Sequence, residues 1–298
     1  MKFIAALDQS GGSTPATLER YGVDEWMGDD GMMRRVHDMR LRIINSPSFM
    51  PEMISTAILF KDTIARGGAV EALTAKRIES YLKVDSGCEE DGTLKVFDLD
   101  NMIHYAIDTG CTGTKMRSIV KNAEIMSTLL DQQFEYAQRI ADAGLMPIVE
   151  PEIPIGHPYK EELERLLFEE LRTYLKAFSG EVILKLTIPT VPNTYIALHD
   201  SFMVNKLVGL SGGYSTEVAC EKLSQNEAMV ASFSRGLTEG LHVHQTEEQF
   251  DEKLQQNEEL AELRADTSLE KTQMGIDAKM VNDMMKQTDV RILKGPKR

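Results

Sequence analysis

Short apolar, β-rich runs recur roughly every 30 residues along this chain, each followed by a polar or glycine-rich turn and then a stretch with helical spacing. Eight runs fit the pattern: Phe3 to Gln9, Ile54 to Phe60, Ser80 to Ser86, Cys111 to Arg117, Leu145 to Glu152, Val182 to Pro189, Asn205 to Gly213 and Met229 to Arg235. Between the fourth and fifth, Met126, Leu129, Leu130, Phe134, Ala137, Ile140 and Ala141 fall on one helix face, and Gly144 stops that helix. Leu163, Leu166, Leu167, Leu171, Leu175 and Phe178 repeat the pattern before Gly180. Regular alternation of strand and helix predicts a parallel sheet with helical crossovers, and eight such units can close into a (β/α)8 TIM barrel. An open doubly wound sheet is the alternative.

The module ends near residue 256, so residues 1–256 are expected to form the barrel and 257–298 a helical or partly disordered extension. In that extension Met274, Ile276, Met280, Val281, Met284 and Met285 could line one face of a docked or partner-binding helix.

Composition narrows the partners. With 42% apolar residues the 298-residue chain can fill a large core, and its net charge of 33 − 47 = −14 argues against nucleic acid or an anionic membrane as a partner. An anionic ligand must therefore meet a local basic cluster. No stretch approaches the ~18 apolar residues of a membrane helix, and Asp8 interrupts the first apolar run, so a cytoplasmic protein is expected. Cys88, Cys111 and Cys220 have no metal-ligand spacing and are expected as small buried hydrophobes without a disulfide.

Side chains alternate along a strand, and parity here sorts charge from hydrocarbon. Ala6 and Asp8, Lys83 and Asp85, Lys115 and Arg117, Glu150 and Glu152, and Lys185 and Thr187 share one phase; Leu7, Leu82, Val84, Met116, Val149, Leu184 and Leu186 take the other. The apolar phase should face the helices and the charged phase the barrel interior, at the C-terminal strand ends where barrel active sites lie. An unpaired buried charge costs several kcal/mol, so so many inward ionisable groups make sense as an active site and not as packing. Lys83, Lys115 and Lys185 can supply cations or a nucleophile, Asp8, Glu150 and Glu152 proton transfer. Ser211-Gly212-Gly213 and Ser234-Arg235 close the last two runs, where barrels often hold phosphate, and Ser10-Gly11-Gly12-Ser13 with Lys83 could hold a second. The residues alone point to a barrel enzyme forming a lysine imine with a phosphorylated carbonyl compound, with other lyases and isomerases open.

Seven stretches carry a resemblance in order from residue 3 to about 255: the run from Phe3 to Ser13, Leu82-Lys83-Val84-Asp85, Gly113-Thr114-Lys115-Met116-Arg117, Pro147 to Glu152, Leu184 to Pro189, Leu210 to Ser215, and Ala231 to Arg235. Together they resemble class I fructose-bisphosphate aldolase in its short bacterial form. The resemblance implies metal- and cofactor-independent, reversible cleavage of fructose 1,6-bisphosphate in glycolysis and gluconeogenesis. It implies Lys185 as the imine-forming lysine, Glu150 as general acid and base, and Glu152, Lys115 and Asp8 as supporting charges. Ser211, Gly212, Gly213, Ser234 and Arg235 correspond to its C1-phosphate site, Ser10, Ser13 and Lys83 to its C6-phosphate site, and Arg117 lies near substrate. The animal enzymes' C-terminal tyrosine has no counterpart, because no tyrosine follows Tyr214. Phosphorylated ketoses and trioses are the expected ligands, and a homo-oligomer is compatible with the sequence. Other readings are a transaldolase-like imine enzyme, a non-catalytic scaffold, and a metal-dependent aldolase using His242 and His244, a pair expected on a surface helix.

Overall fold

The computed structural model describes residues 2–259 and is a (β/α)8 barrel. Its strands are β1 (Phe3–Leu7), β2 (Ile54–Leu59), β3 (Glu79–Lys83), β4 (Gly113–Ile119), β5 (Met146–Glu152), β6 (Val182–Thr187), β7 (Val204–Leu210) and β8 (Met229–Ala231). Parallel ladders join each strand to the next from β1 to β8. Among the described residues no ladder joins β8 back to β1.

The outer layer follows the apolar stripes. α1 (Ser13–Tyr21) and α2 (Gly28–Asn45) fill the first crossover, α3 (Lys61–Arg66) and α4 (Ala69–Ala75) the second, and α5 (Leu99–Asp108) the third. α6 (Met126–Asp142) and α7 (Lys160–Ala177) bury the stripes read from their spacing, and Gly144 turns the chain at φ 81°. α8 (Ile196–His199), α9 (Thr216–Leu223) and α10 (Ser234–Thr238) are short. A further helix, α11, covers residues 247–259 and crosses the expected domain boundary at 256. It belongs to the barrel's packing: Phe250 and Leu254 are buried, and Asn257 donates to the carbonyls of Leu237 and Glu239 at 3.1 and 2.9 Å. The methionine-rich stretch from Met274 to Met285 lies outside the described residues.

Parity divides the core into two bodies. Leu7, Leu82, Val84, Met116, Val149, Leu184 and Leu186 pack with the helices in the outer core. Ile4, Ile58, Tyr81, Ile148, Ile183, Val208 and Val230 form the plug inside the barrel, in phase with the charged residues nearer the strand C-termini. Gly113 is the small residue of that layer, since a Cβ there would come within 2.6 Å of the Tyr81 ring and 2.5 Å of the Met146 carbonyl oxygen. Cys111 and Cys220 are buried, Cys88 is half-buried, and none of the three is in a disulfide.

Several runs read from the sequence are longer than the ladders. The seventh strand ends at Leu210, and Gly212 and Gly213 sit at φ 58° and 114° in the turn beyond it. The eighth ends at Ala231, so Ser234 and Arg235 open α10 and do not close a strand. Alternation of polarity continues past the last main-chain hydrogen bond, which is why periodicity alone overruns the ends.

Candidate active site

The C-terminal mouth of the barrel holds a pocket of 220 Å³ that gathers ionisable side chains from five strands or their immediate continuations. Lys185 on β6 and Lys115 on β4 flank Glu150 on β5, with Nζ to Oε2 distances of 3.5 and 2.8 Å. Lys115 also donates to Asp8 Oδ2 at 2.9 Å. All four side chains are at most 10% exposed.

This geometry separates the two lysines. Burial pulls Lys185 below its ordinary value, Lys115 reinforces the shift, and Glu150 and Asp8 only partly oppose it. Burial acts the same way on Lys115, but contact with Asp8 and Glu150 outweighs it and holds that ammonium charged, well above the usual lysine range. For Asp8, burial would raise the carboxyl; Lys115, then Lys185, overcome it and hold the group far below the usual carboxylate range. Asp8 is thus the counter-ion of Lys115, the supporting charge that the resemblance implies.

At the rim, Lys83 donates to Ser10 Oγ at 2.7 Å and pairs with Asp85 at 3.3 Å, while Ser13 donates to the Ser10 carbonyl at 3.1 Å. Arg117 pairs with Glu152 at 2.5 Å, and Asp85 accepts the Arg117 N–H at 3.2 Å. Ser211, Gly212 and Ser234 line the same pocket on the opposite side.

Two residues expected at the phosphate end lie outside this lining. Gly213 is exposed just beyond it. Arg235 is exposed and lines a separate crevice of 180 Å³ with Thr17, Arg20 and Glu239. Its place at the second position of α10 turns it away from the strand axis that aims Ser232 inward. The His242-His244 pair lies in a turn before α11, not on a helix, with His242 Nε2 packed against Gly22. Among the described residues no group of three or more His, Cys, Asp or Glu is arranged to hold a metal ion.

Three contributors were missed in the sequence. Ser232 continues the inward phase of Val230, and its buried hydroxyl has no hydrogen-bond partner, which leaves it for a ligand oxygen. Parity on β8 would have found it. Gln133, fully buried on α6, accepts from the Glu150 N–H at 3.1 Å and donates to Ser118 Oγ. Its signal was an amide inside an apolar stripe, between Leu130 and Phe134.

Gln9 is the third, and it closes the seam. Its Nε2 donates to Ser234 Oγ, bridging the ends of β1 and β8 where no ladder exists. Arg40, fully buried on α2, holds Gln9 by donating to its carbonyl at 2.5 Å and its Oε1 at 3.2 Å, and reaches Thr63 Oγ1 at 2.6 Å. Burial lowers this guanidinium to about 10 despite Asp8 and Asp62. Arg40→Lys is expected to cost about 1–3 kcal/mol, because one ammonium cannot span the acceptors a planar fork satisfies. The check is the urea midpoint at constant m-value; an unchanged midpoint would show that the clasp adds nothing.

No protein-family model matches the chain. Among solved structures it is similar to fructose-bisphosphate aldolase from Plasmodium falciparum, a complex with TRAP and a small-molecule inhibitor, with TM-score 0.71 and 20% identity over 90% of each chain. An archaeal fructose 1,6-bisphosphate aldolase gives TM-score 0.54 and 11% identity over 87% of this chain and 93% of that one. A Schiff-base-forming fructose-1,6-bisphosphate aldolase gives 0.53 and 11% over 88% and 93%. The barrel fold is shared. No helix among the described residues is long and apolar enough to cross a membrane.

Proposed function

We propose that the protein is a Schiff-base aldolase that reversibly cleaves fructose 1,6-bisphosphate to dihydroxyacetone phosphate and glyceraldehyde 3-phosphate. The observation that carries this reading is the pairing of a buried lysine of lowered pKa, Lys185, with a second lysine, Lys115, held charged, across the shared Glu150 carboxylate.

Neutral Lys185 attacks the C2 ketone, and Glu150 gives a proton to the departing hydroxyl so that water leaves and an iminium forms. When C3–C4 breaks, the electron pair flows into that iminium to give an enamine. The C4 hydroxyl loses its proton to Glu150, now a carboxylate, and the aldehyde departs. Protonation at C3 and hydrolysis of the imine release the ketone and restore the amine. Lys115 stabilises the anionic forms of Glu150 and of the developing alkoxide. Ser10, Ser13, Lys83 and Arg117 hold the far phosphate, and Ser211, Gly212, Ser232 and Ser234 the ketose end, so that binding at both ends fixes the cleaved bond over Lys185.

The direct test is borohydride reduction in the presence of dihydroxyacetone phosphate, read by intact-protein mass spectrometry. One reduced triose phosphate per chain is expected, in EDTA as in its absence. No adduct would end the reading.

The position of Arg235 favours a second reading with the same chemistry. Without that guanidinium the ketose end offers hydroxyls and main-chain N–H groups, which suit an unphosphorylated C1 as in a transaldolase-like enzyme. The ratio of kcat/KM for fructose 1,6-bisphosphate and fructose 6-phosphate decides between them.

A further inference from the structure

Beside the central pocket lies a much larger cavity, 1010 Å³, which shares Ser10, Lys83 and Arg117 with it. Its walls come from the turn after β1, the end of β3 and the excursion from it into α5, the start of α3 and the end of β4; Lys61, Phe97 and Met102 among them take no part in the imine chemistry. From this cavity we infer a second binding site for an amphipathic anion, with an aryl or other flat apolar body and a phosphate-like end.

The charges in the cavity are unevenly engaged. Asp85 is taken by Lys83 and by the N–H groups of Gly87 and Arg117, at 3.3, 3.0 and 3.2 Å. Asp98 caps α5 by accepting the Asn101 N–H at 3.0 Å. Lys61 is different. Its ammonium contacts the Met102 sulfur at 3.8 Å and lies 4.7 Å from the Tyr105 ring centroid, and no carboxylate among the described residues comes within 4 Å. A half-buried cation resting on a thioether and an aromatic face keeps its capacity for an anion. It sits at the start of α3, next in sequence to Phe60, whose ring is 5.8 Å from Lys83 Nζ. Lys61, Phe60 and Lys83 all line this one cavity, so both cations share it with the aromatic ring.

The body of the ligand follows from the remaining lining. Phe60, Phe97 and Met102 are large, half-buried apolar side chains facing the space, and Val96 at 90% exposure extends the apolar surface outward. Phe97 is braced edge-on against Tyr136, with ring centroids 5.5 Å apart, so it offers a fixed surface. Apolar walls with a few placed cations are the usual make-up of a small-molecule pocket, and the volume reaches the upper end of the ~300–1000 Å³ range of such sites. A bare phosphate would use the cations and waste the aromatic wall; a neutral aromatic would leave Lys61 as it is.

The probes are phenyl phosphate and inorganic phosphate, titrated calorimetrically into the full-length protein. Phenyl phosphate is expected to bind at least tenfold more tightly than inorganic phosphate, and Lys61→Met, which keeps the apolar stem and removes the charge, to weaken it about tenfold. Phe97→Ser should bring phenyl phosphate back to the affinity of inorganic phosphate; the Lys61 variant, at a half-buried surface position, keeps the test decisive if Phe97→Ser does not fold. Equal affinity for the two probes, or a Lys61→Met protein that binds phenyl phosphate like the parent, overturns the inference. The titration involves no imine. A protein whose phenyl phosphate binding is weakened by Lys61→Met yet which forms no borohydride-reducible adduct therefore keeps this site and loses the aldolase reading, and an adduct with phenyl phosphate binding indifferent to Lys61→Met loses this site alone.

Discussion

Lys185→Ala and Lys185→Arg are both expected to abolish the borohydride-reducible adduct with dihydroxyacetone phosphate and to lower turnover by on the order of 10⁴-fold or more, a barrier increase of about 5.5 kcal/mol. Alanine removes the nitrogen. Arginine restores charge and reach, but a guanidinium stays protonated and forms no imine. Lys185 is singled out because, of the two lysines beside Glu150, it is the one that the site pushes toward neutrality: burial dominates its shift, Lys115 adds to it, and Glu150, 3.5 Å away, is shared with a nearer cation. Lys83 is tied to Asp85 and Ser10 at the rim, away from the Glu150 carboxylate that Lys185 and Lys115 share. Peptide mapping of the reduced adduct gives the decisive readout. A label on Lys83 or Lys115 would reject the assignment while leaving imine chemistry intact.

Lys115→Met should lower kcat by about 10²–10³-fold, the range for losing one positioned group that stabilises developing negative charge, and move adduct formation to higher pH. The sign follows from the neighbours. Lys115 is the cation that depresses Lys185; with it gone, Lys185 faces Asp8 and Glu150 with no competing positive charge, so its folded pKa rises and less amine is neutral at pH 7. Raising pH restores the amine and part of the trapping, but not the alkoxide stabilisation that kcat needs. The same substitution should reduce acid resistance. Asp8 has a folded pKa below its unfolded value of about 3.9, so its stabilising contribution is present above that value and is lost as pH falls through the depressed folded value. Without Lys115 the depression shrinks and the loss moves to higher pH. Trapping with an unchanged pH profile in Lys115→Met would show that burial alone sets Lys185.

Most of the mouth was legible because it is written in strand parity. Lys83, Lys115, Glu150 and Lys185 each share a phase with an apolar or small inward residue two positions earlier, namely Tyr81, Gly113, Ile148 and Ile183, so one rule carried all four to the interior. The rule fails where the strand stops. Arg235 continues an apparent run from Met229, but the ladder ends at Ala231 and helical geometry turns the side chain into another crevice. Parity also says nothing about which inward carboxylate meets which inward lysine, and so it could not tell that Asp8, read both for proton transfer and as a supporting charge, lies 2.9 Å from Lys115 as its counter-ion.

The sequence by itself determined the eight strand-helix modules, the two-sided strands and the set of ionisable side chains sent to one end of the barrel, because each depends on periodicity over a few neighbouring residues. Tertiary structure alone decided what depends on distance between strands far apart in the chain. It sets Lys115 between Asp8 and Glu150, separates the charge states of two otherwise similar lysines, and brings Arg40 on α2 to Gln9 and so to Ser234 across an unladdered seam. Electrostatic energy varies inversely with separation and with the local dielectric, and neither quantity is encoded in any one segment; both come into being when the barrel closes and water leaves its mouth.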